Sequence, residues 1–120
     1  MESKHSIFKS FKFAFEGLEV AIVKGRNFRI QVCLGALAII LGVIFKISSF
    51  EWLSLILVIA SVLILELINT AIESIVDIVS PEIQEKAKIA KDVSAASVLV
   101  SSIVAIFIGA LLFLPKILHF

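Results

Sequence analysis

Four polar residues in the middle of the chain fall on one side of a predicted helix. They follow one another at intervals of three, four and four residues, and they are Glu66, Asn69, Glu73 and Asp77. This spacing places side chains on the same face of an α-helix. Residues 52–65 before them carry no charge. A helix that starts at residue 52 rises roughly 21 Å before it reaches Glu66. Because a hydrocarbon core is about 30 Å thick, we expect Glu66 inside the membrane and the last two carboxylates at or beyond its far interface.

Glu66 is the predicted centre of the chemistry. A carboxylic acid inside a membrane is costly and is by default a candidate functional group. Glu66 could accept a proton from a hydroxyl group that is presented at the acyl boundary. The competing structural explanation is a protonated acid that is hydrogen-bonded inside a helix bundle.

Nearer to the water, the sequence supplies two further kinds of polar group. Oxygen ligands of the kind that Mg²⁺ prefers come from Asn69, Glu73, Asp77 and Asp92. Cations suited to phosphate come from Arg26, Arg29 and Lys91. This combination predicts phosphoryl transfer to a lipid alcohol, and the absence of a G-x-x-x-x-G-K-[ST] segment excludes a P-loop as the nucleotide cradle. Purely structural roles remain open for three of these residues: an interhelical hydrogen bond for Asn69, a pair with a loop lysine for Asp77 and a helix N-cap for Asp92.

The composition predicts an integral membrane protein that forms a single domain over residues 1–120. Hydrophobic residues make up 60% of the chain, and the mean hydropathy is +1.12, which is more than a soluble domain carries. The net charge of +1 gives no indication of nucleic-acid binding, and a lone Cys33 excludes a disulfide within the chain. We expect an all-α membrane protein with membrane spans at about 30–47, 52–79 and 93–114, the last of which ends at Pro115.

Residues 5–24 predict an amphipathic helix at the membrane surface. Its apolar positions recur every three or four residues, at Phe8, Phe11, Phe15, Leu18 and Ile22. Charged residues recur too often for a membrane span, so the helix should lie in the interface. Six Lys and Arg residues precede the first span and three lie in the second loop. The positive-inside rule therefore places the N-terminus and residues 80–92 in the cytoplasm and the C-terminus outside.

Two segments resemble the small bacterial diacylglycerol kinase and undecaprenol kinase family. They are Glu66-Leu-Ile-Asn69-Thr-Ala-Ile-Glu73-x-x-Val-Asp77 and Ala90-Lys91-Asp92-x-x-x-Ala96-x-Val98. The resemblance implies three transmembrane helices, a surface helix and a homotrimer with active sites shared between protomers. It also implies transfer of the γ-phosphoryl group of ATP to a membrane lipid alcohol, with Mg²⁺ as cofactor, in the bacterial cytoplasmic membrane.

The resemblance also implies roles for individual residues. Glu66 matches the general base, and Glu73 matches the metal-binding glutamate. The positions that match residues around the nucleotide are Asn69, Asp77, Glu82, Gln84, Lys91 and Asp92, with Phe13 near the adenine. The positions that match a substrate-binding role are Phe28, Arg29 and Ala95.

Two positions depart from the family pattern. Gly25 stands where the family usually has a glutamate that helps to hold the metal, and Gln31 stands where relatives often carry His or Glu. Either Glu19, ATP phosphates or water completes the metal shell, or the protein is less active than its relatives; we expect activity to be retained. Trp52 and the segment 77–82 favour undecaprenol over diacylglycerol as the substrate. The alternative function is a non-enzymatic proton- or ion-coupled membrane subunit, which would need Glu66 but would have no use for Glu73, Lys91 and Asp92.

Overall fold

The computed structural model describes residues 6–82 and 84–119, and the regular structure within them is entirely helical. The helices are α1 (Ile7–Lys24), α2 (Arg26–Ile44), α3 (Ser49–Val79) and α4 (Glu85–Leu118). α2, α3 and α4 are each long and apolar enough to cross a membrane. The predicted all-α class with three candidate spans is therefore confirmed. The predicted start of the first helix, at residue 5, lies outside the described residues.

Local capping explains where α1 and α3 begin. The Ser6 hydroxyl accepts a hydrogen bond from the Lys9 amide at the start of α1. At the start of α3, Ser48 and Glu51 form a reciprocal capping box in which each side chain accepts from the other residue's amide. α3 thus begins three residues before the predicted Trp52, and α2 ends at Ile44 rather than at residue 47.

The fourth helix is longer than the predicted span. α4 begins at Glu85, so the charged residues before residue 93 form its first turns, and Lys88 pairs with Asp92 one turn apart at 2.6 Å. Asp92 therefore lies inside the helix, and the N-cap explanation for it is wrong. The helix also continues through Pro115 to Leu118, so the prediction that Pro115 ends it is wrong too. A proline removes one backbone donor, and here the remaining hydrogen bonds continue the helix for one more turn.

α3 and α4 pack against each other as an antiparallel pair that is tied at both ends by ion pairs. At one end Lys91 Nζ lies 2.7 Å from Asp77 Oδ1, and at the other Lys116 Nζ lies 2.9 Å from Glu51 Oε2. A hydrophobic cluster of Ile47, Leu55, Leu112 and Phe113 lies at the Glu51 end. These contacts set the register in which the polar residues of the two helices meet.

Glycines let α2 approach α3 closely. Gly35 and Gly42 are buried on α2, whereas Ala36 is exposed. A Cβ added at Gly42 would lie 2.7 Å from Trp52 Cη2, and one at Gly35 would lie 3.0 Å from Ile59 Cγ2. The close approach follows the small-residue packing seen between membrane helices.

A single residue, Gly25, separates α1 from α2. Its amide donates to the Ala21 carbonyl at 2.8 Å, which closes the last turn of α1. From the first turn of α2, the Arg29 guanidinium donates to the Ile22 and Val23 carbonyls at 2.7 and 2.9 Å. Because the last carbonyls of a helix lack partners within it, Arg29 caps α1 and ties the two helices together.

Candidate functional site

The four polar residues of α3 pass from a buried to an exposed environment. Glu66 and Asn69 are each 7% exposed, Glu73 is half-buried and Asp77 is exposed. Helical periodicity alone explains why they share a face, since all lie three or four residues apart. The predicted progression from an interior acid to an exposed end is present in the fold.

Glu66 is contacted by α2. Gln31 Nε2 donates to Glu66 Oε1 in a long hydrogen bond of 3.4 Å. Within residues 6–82 and 84–119, three buried side-chain oxygens of this region have no hydrogen-bond partner: Gln31 Oε1, Asn69 Oδ1 and Ser94 Oγ. Such orphaned polar atoms are unfavourable in a helix bundle, and they are the kind of groups that a ligand satisfies.

A polar cleft of about 360 Å³ lies where α3 ends and α4 begins. Five of the residues predicted to surround the nucleotide line it together: Asp77, Glu82, Gln84, Lys91 and Asp92. Lys88 also lines this cleft. The sequence brings them together because Pro81 and the extended residues around it reverse the chain between two antiparallel helices.

The lysines of the polar cleft are paired with carboxylates. Lys91 and Lys88 lie in the turns of α4 that precede its apolar segment. A hydrogen bond to Asp77 raises the pKa of Lys91, and a hydrogen bond to Asp92 raises the pKa of Lys88. A lysine is a cation at neutral pH even at its ordinary pKa, and each of these two is exposed enough to exchange its carboxylate for a phosphate.

An apolar cleft of about 340 Å³ lies between α2, α3 and α4. It runs from Gln31 to Phe113, and its wall includes Leu34, Leu55, Val62 and Ile106. Because Gln31 both lines this cleft and bonds to Glu66, the buried acid lies beside one end of it. The cleft has the apolar lining that suits a hydrocarbon chain.

None of the three predicted substrate-binding residues lines either cleft. Phe28 is buried, Ala95 is exposed on α4, and Arg29 caps α1. Phe13 lies on α1, is 52% exposed and is not among the residues that line the polar cleft.

Two residues of this region are not apparent as a site from the sequence. Gln31 stands out only as a departure from the family pattern, and its contact with Glu66 needs the packing of α2 on α3. Ser94 belongs to a run of small residues that indicates helix packing. The sequence feature that could have identified Ser94 is its position three residues after Lys91, on the same face of α4.

The residues present could coordinate a divalent cation only together with amide oxygens, hydroxyl oxygens or the phosphate oxygens of a bound nucleotide. In the described part of the chain, no group of three or more His, Cys, Asp or Glu side chains could hold a metal. Asn69 Oδ1, a buried oxygen with no protein partner there, supplies one further ligand close to Glu73 in the helix. A Mg²⁺ ion shared with nucleotide phosphates needs few protein ligands, so this donor set fits it.

Comparison with known proteins identifies the family of the chain. Residues 12–113 match the family of prokaryotic diacylglycerol kinases. The chain is 37% identical to the undecaprenol kinase of Bacillus subtilis over 92% of this chain and 89% of that protein. It is 40% identical to a diacylglycerol kinase of Synechocystis over 91% of this chain and 63% of that protein. It is 30% identical to the diacylglycerol kinase of Escherichia coli K12 over 88% of this chain and 87% of that protein. Because this family match covers most of the chain, the membrane protein is a member of the prokaryotic diacylglycerol kinase family of lipid kinases.

Proposed function

We propose that the protein transfers the γ-phosphoryl group of ATP to the hydroxyl group of a membrane lipid alcohol, with Glu66 as general base. One observation carries this proposal: a buried acid lies at the end of an apolar cleft, two helical turns from a half-buried carboxylate that leads to a polar cleft. A hydrocarbon chain in the apolar cleft would present its hydroxyl end near Glu66. A nucleotide in the polar cleft would direct its phosphates towards the same point.

The chain's own residues supply the proton transfer and the positioning. Glu66 accepts the hydroxyl proton while the alcohol oxygen bonds to the γ-phosphorus and the bond to the β-phosphate oxygen breaks, which releases ADP. Gln31 holds the Glu66 carboxylate through their hydrogen bond. Glu73 and Asn69 would hold Mg²⁺, which neutralises phosphate charge when it is bound. Lys91, released from Asp77, would contact the phosphates as a point charge.

Undecaprenol is the proposed acceptor, in preference to diacylglycerol. Relatives carry both names at similar identity, so the preference rests on Trp52 and on segment 77–82. A cleft of about 340 Å³ has room for only part of a hydrocarbon chain of either lipid, so its volume does not distinguish the two acceptors.

The proposed setting is the cytoplasmic membrane of a bacterium, with the N-terminus and the polar cleft in the cytoplasm and the C-terminus outside. The positive-inside rule supports this orientation. α1 would lie in the interface, and the exposure of Phe8, Phe11 and Phe15 supports such a position. A homotrimer with shared sites would allow Phe13 of one protomer to reach the nucleotide of another.

The test is lipid phosphorylation by the purified protein in vesicles. Wild type and Glu66→Gln are compared with γ-labelled ATP, with undecaprenol and diacylglycerol in parallel. Loss of a general base should lower kcat by about 10²–10⁴-fold. Glu51→Gln is a matched control on the same helix, because residue 51 lies roughly 22 Å from residue 66 along the axis, and it should retain activity.

The outcomes separate the alternatives. Equal labelling by wild type and Glu66→Gln would remove Glu66 from the role of base. Labelling of diacylglycerol in preference to undecaprenol would reverse the proposed substrate. No labelling of either lipid by the wild type would mean either that Gly25 has disabled the kinase or that Glu66 serves proton or ion coupling instead.

A further inference from the structure

The buried hydroxyl group of Ser94 differs in its hydrogen bonding from the hydroxyl groups of neighbouring residues. The hydroxyls of Thr70, Ser74 and Ser97 donate to the carbonyls of Glu66, Thr70 and Ser94, at 3.0, 3.0 and 2.7 Å. This is the usual way in which a helix satisfies Ser and Thr within apolar surroundings. Ser94 is 7% exposed, and its Oγ has no partner among the residues that the structure describes. The hydrogen-bonding capacity of this hydroxyl is therefore unused within the described fold.

The register of α3 and α4 places Ser94 beside the polar face of α3. Ser94 follows Lys91 by three residues on α4, and Glu73 precedes Asp77 by four residues on α3. Because Lys91 and Asp77 are paired and the helices are antiparallel, Ser94 lies opposite the turn of α3 that carries Glu73. Ser94 and Val98, one turn apart, are both buried, so this face of α4 points towards α3.

The preceding turn of α3 carries a second orphaned oxygen. Asn69 Oδ1 is buried and has no partner in the described part of the chain, and Glu73 follows Asn69 by one turn. An amide oxygen cannot donate a hydrogen bond, so only a donor or a cation satisfies it. Together with the Glu73 carboxylate and Ser94 Oγ, it makes a set of three oxygen ligands, which is the chemistry that a hard divalent cation selects.

We infer that the Ser94 hydroxyl oxygen is a further ligand of the divalent cation, alongside Glu73 and Asn69. This inference rests on the proposed function for the nucleotide that shares the cation.

The first test measures metal binding rather than catalysis. Ser94→Cys is made in a Cys33→Ala background, in which the introduced thiol is the only one in the chain. A thiolate that ligates Cd²⁺ gives an ultraviolet charge-transfer band, and we expect a saturable band with one Cd²⁺ per chain. Ser97→Cys is the matched control, because its hydroxyl is already bonded to the Ser94 carbonyl, and it should give no such band.

The second test uses Mn²⁺ binding to the whole protein with a non-hydrolysable ATP analogue, followed by electron paramagnetic resonance. Loss of an outer-shell partner already weakens a metal by about 10–100-fold, so Ser94→Ala should raise the Kd for Mn²⁺ by about tenfold or more. Ser94→Thr keeps the hydroxyl and should bind within a few-fold of the wild type, which separates a ligand role from a packing role.

Each outcome has one meaning for the inference. A Cd²⁺ band in Ser94→Cys with weakened Mn²⁺ binding in Ser94→Ala supports it, even if neither lipid is phosphorylated and the proposed function fails. Absence of the band together with unchanged Mn²⁺ affinity overturns it, even if the lipid kinase activity is confirmed. Equal loss of Mn²⁺ affinity in Ser94→Ala and Ser94→Thr also overturns it, since packing would then explain both.

Discussion

Gly25 offers a prediction in which the effect of the backbone can be separated from the effect of a carboxylate. Its φ of −99° and ψ of 97° are open to any residue, so conformation does not require glycine here. The available space does require glycine, because an added Cβ would lie 2.6 Å from the Ala21 carbonyl oxygen and 3.3 Å from Phe28 Cβ. Ala21 and Phe28 are each 4% exposed, so neither neighbour can give way easily.

The cost follows from this overlap. Forcing an extra carbon into a packed position typically costs about 1–3 kcal/mol. Since 1.4 kcal/mol is a factor of ten, this shifts the equilibrium between packed and displaced α1 by about 5- to 150-fold. The displacement would also strain the bonds from Arg29 to the last carbonyls of α1. Gly25→Ala and Gly25→Glu share this cost because both add the same Cβ.

The assay therefore compares the two variants with each other. Thermal unfolding in micelles measures the shared loss of stability, and Mg²⁺ titration of lipid kinase activity measures the carboxylate. We expect Gly25→Glu to be more active than Gly25→Ala at limiting Mg²⁺, because the added carboxylate supplies an oxygen ligand. Gly17→Ala is the control within α1: nothing lies within 4 Å of its Cβ position, and replacing a helical glycine should stabilise by about 0.5–1 kcal/mol.

Two results would refute this reasoning. A Gly25→Ala protein as stable as the wild type would show that the Cβ overlap is absent. Equal Mg²⁺ dependence of the two variants would show that a carboxylate at position 25 does not reach the metal. The lack of a carboxylate at this position would then not limit the activity of the wild type.

Two further predictions concern packing outside the site. Gly42→Ala should destabilise the protein by about 1–3 kcal/mol, because its Cβ would lie 2.7 Å from Trp52 Cη2; adding Trp52→Phe should recover part of the loss in a double-mutant cycle. Gly109→Ala is its control, with nothing within 4 Å, and equal effects of the two glycine variants would contradict the close packing. Lys116→Met removes the partner of Glu51 at 2.9 Å and should lower the thermal midpoint by a few degrees with kcat unchanged. A large fall in kcat would show that this ion pair acts on the site.

Features that depend on short stretches of the chain could be predicted from the sequence. The four polar residues of α3 share a face because helical periodicity is a local property. Three apolar helices follow from the length and composition of three segments. The boundaries were less predictable: hydropathy shows where the apolar run of α4 begins, but the helix starts eight residues earlier because the Lys88–Asp92 pair and the backbone support charged turns.

Only the tertiary structure decided which segments distant in sequence are in contact. The bond between Gln31 and Glu66, the orphaned hydroxyl of Ser94 and the capping of α1 by Arg29 all depend on helix register and on one side-chain rotamer each. A residue pattern predicts which face of a helix is polar, but it does not predict which turn of another helix lies opposite that face. That choice is made by close packing at Gly42 and by the ion pairs at both ends of α3 and α4.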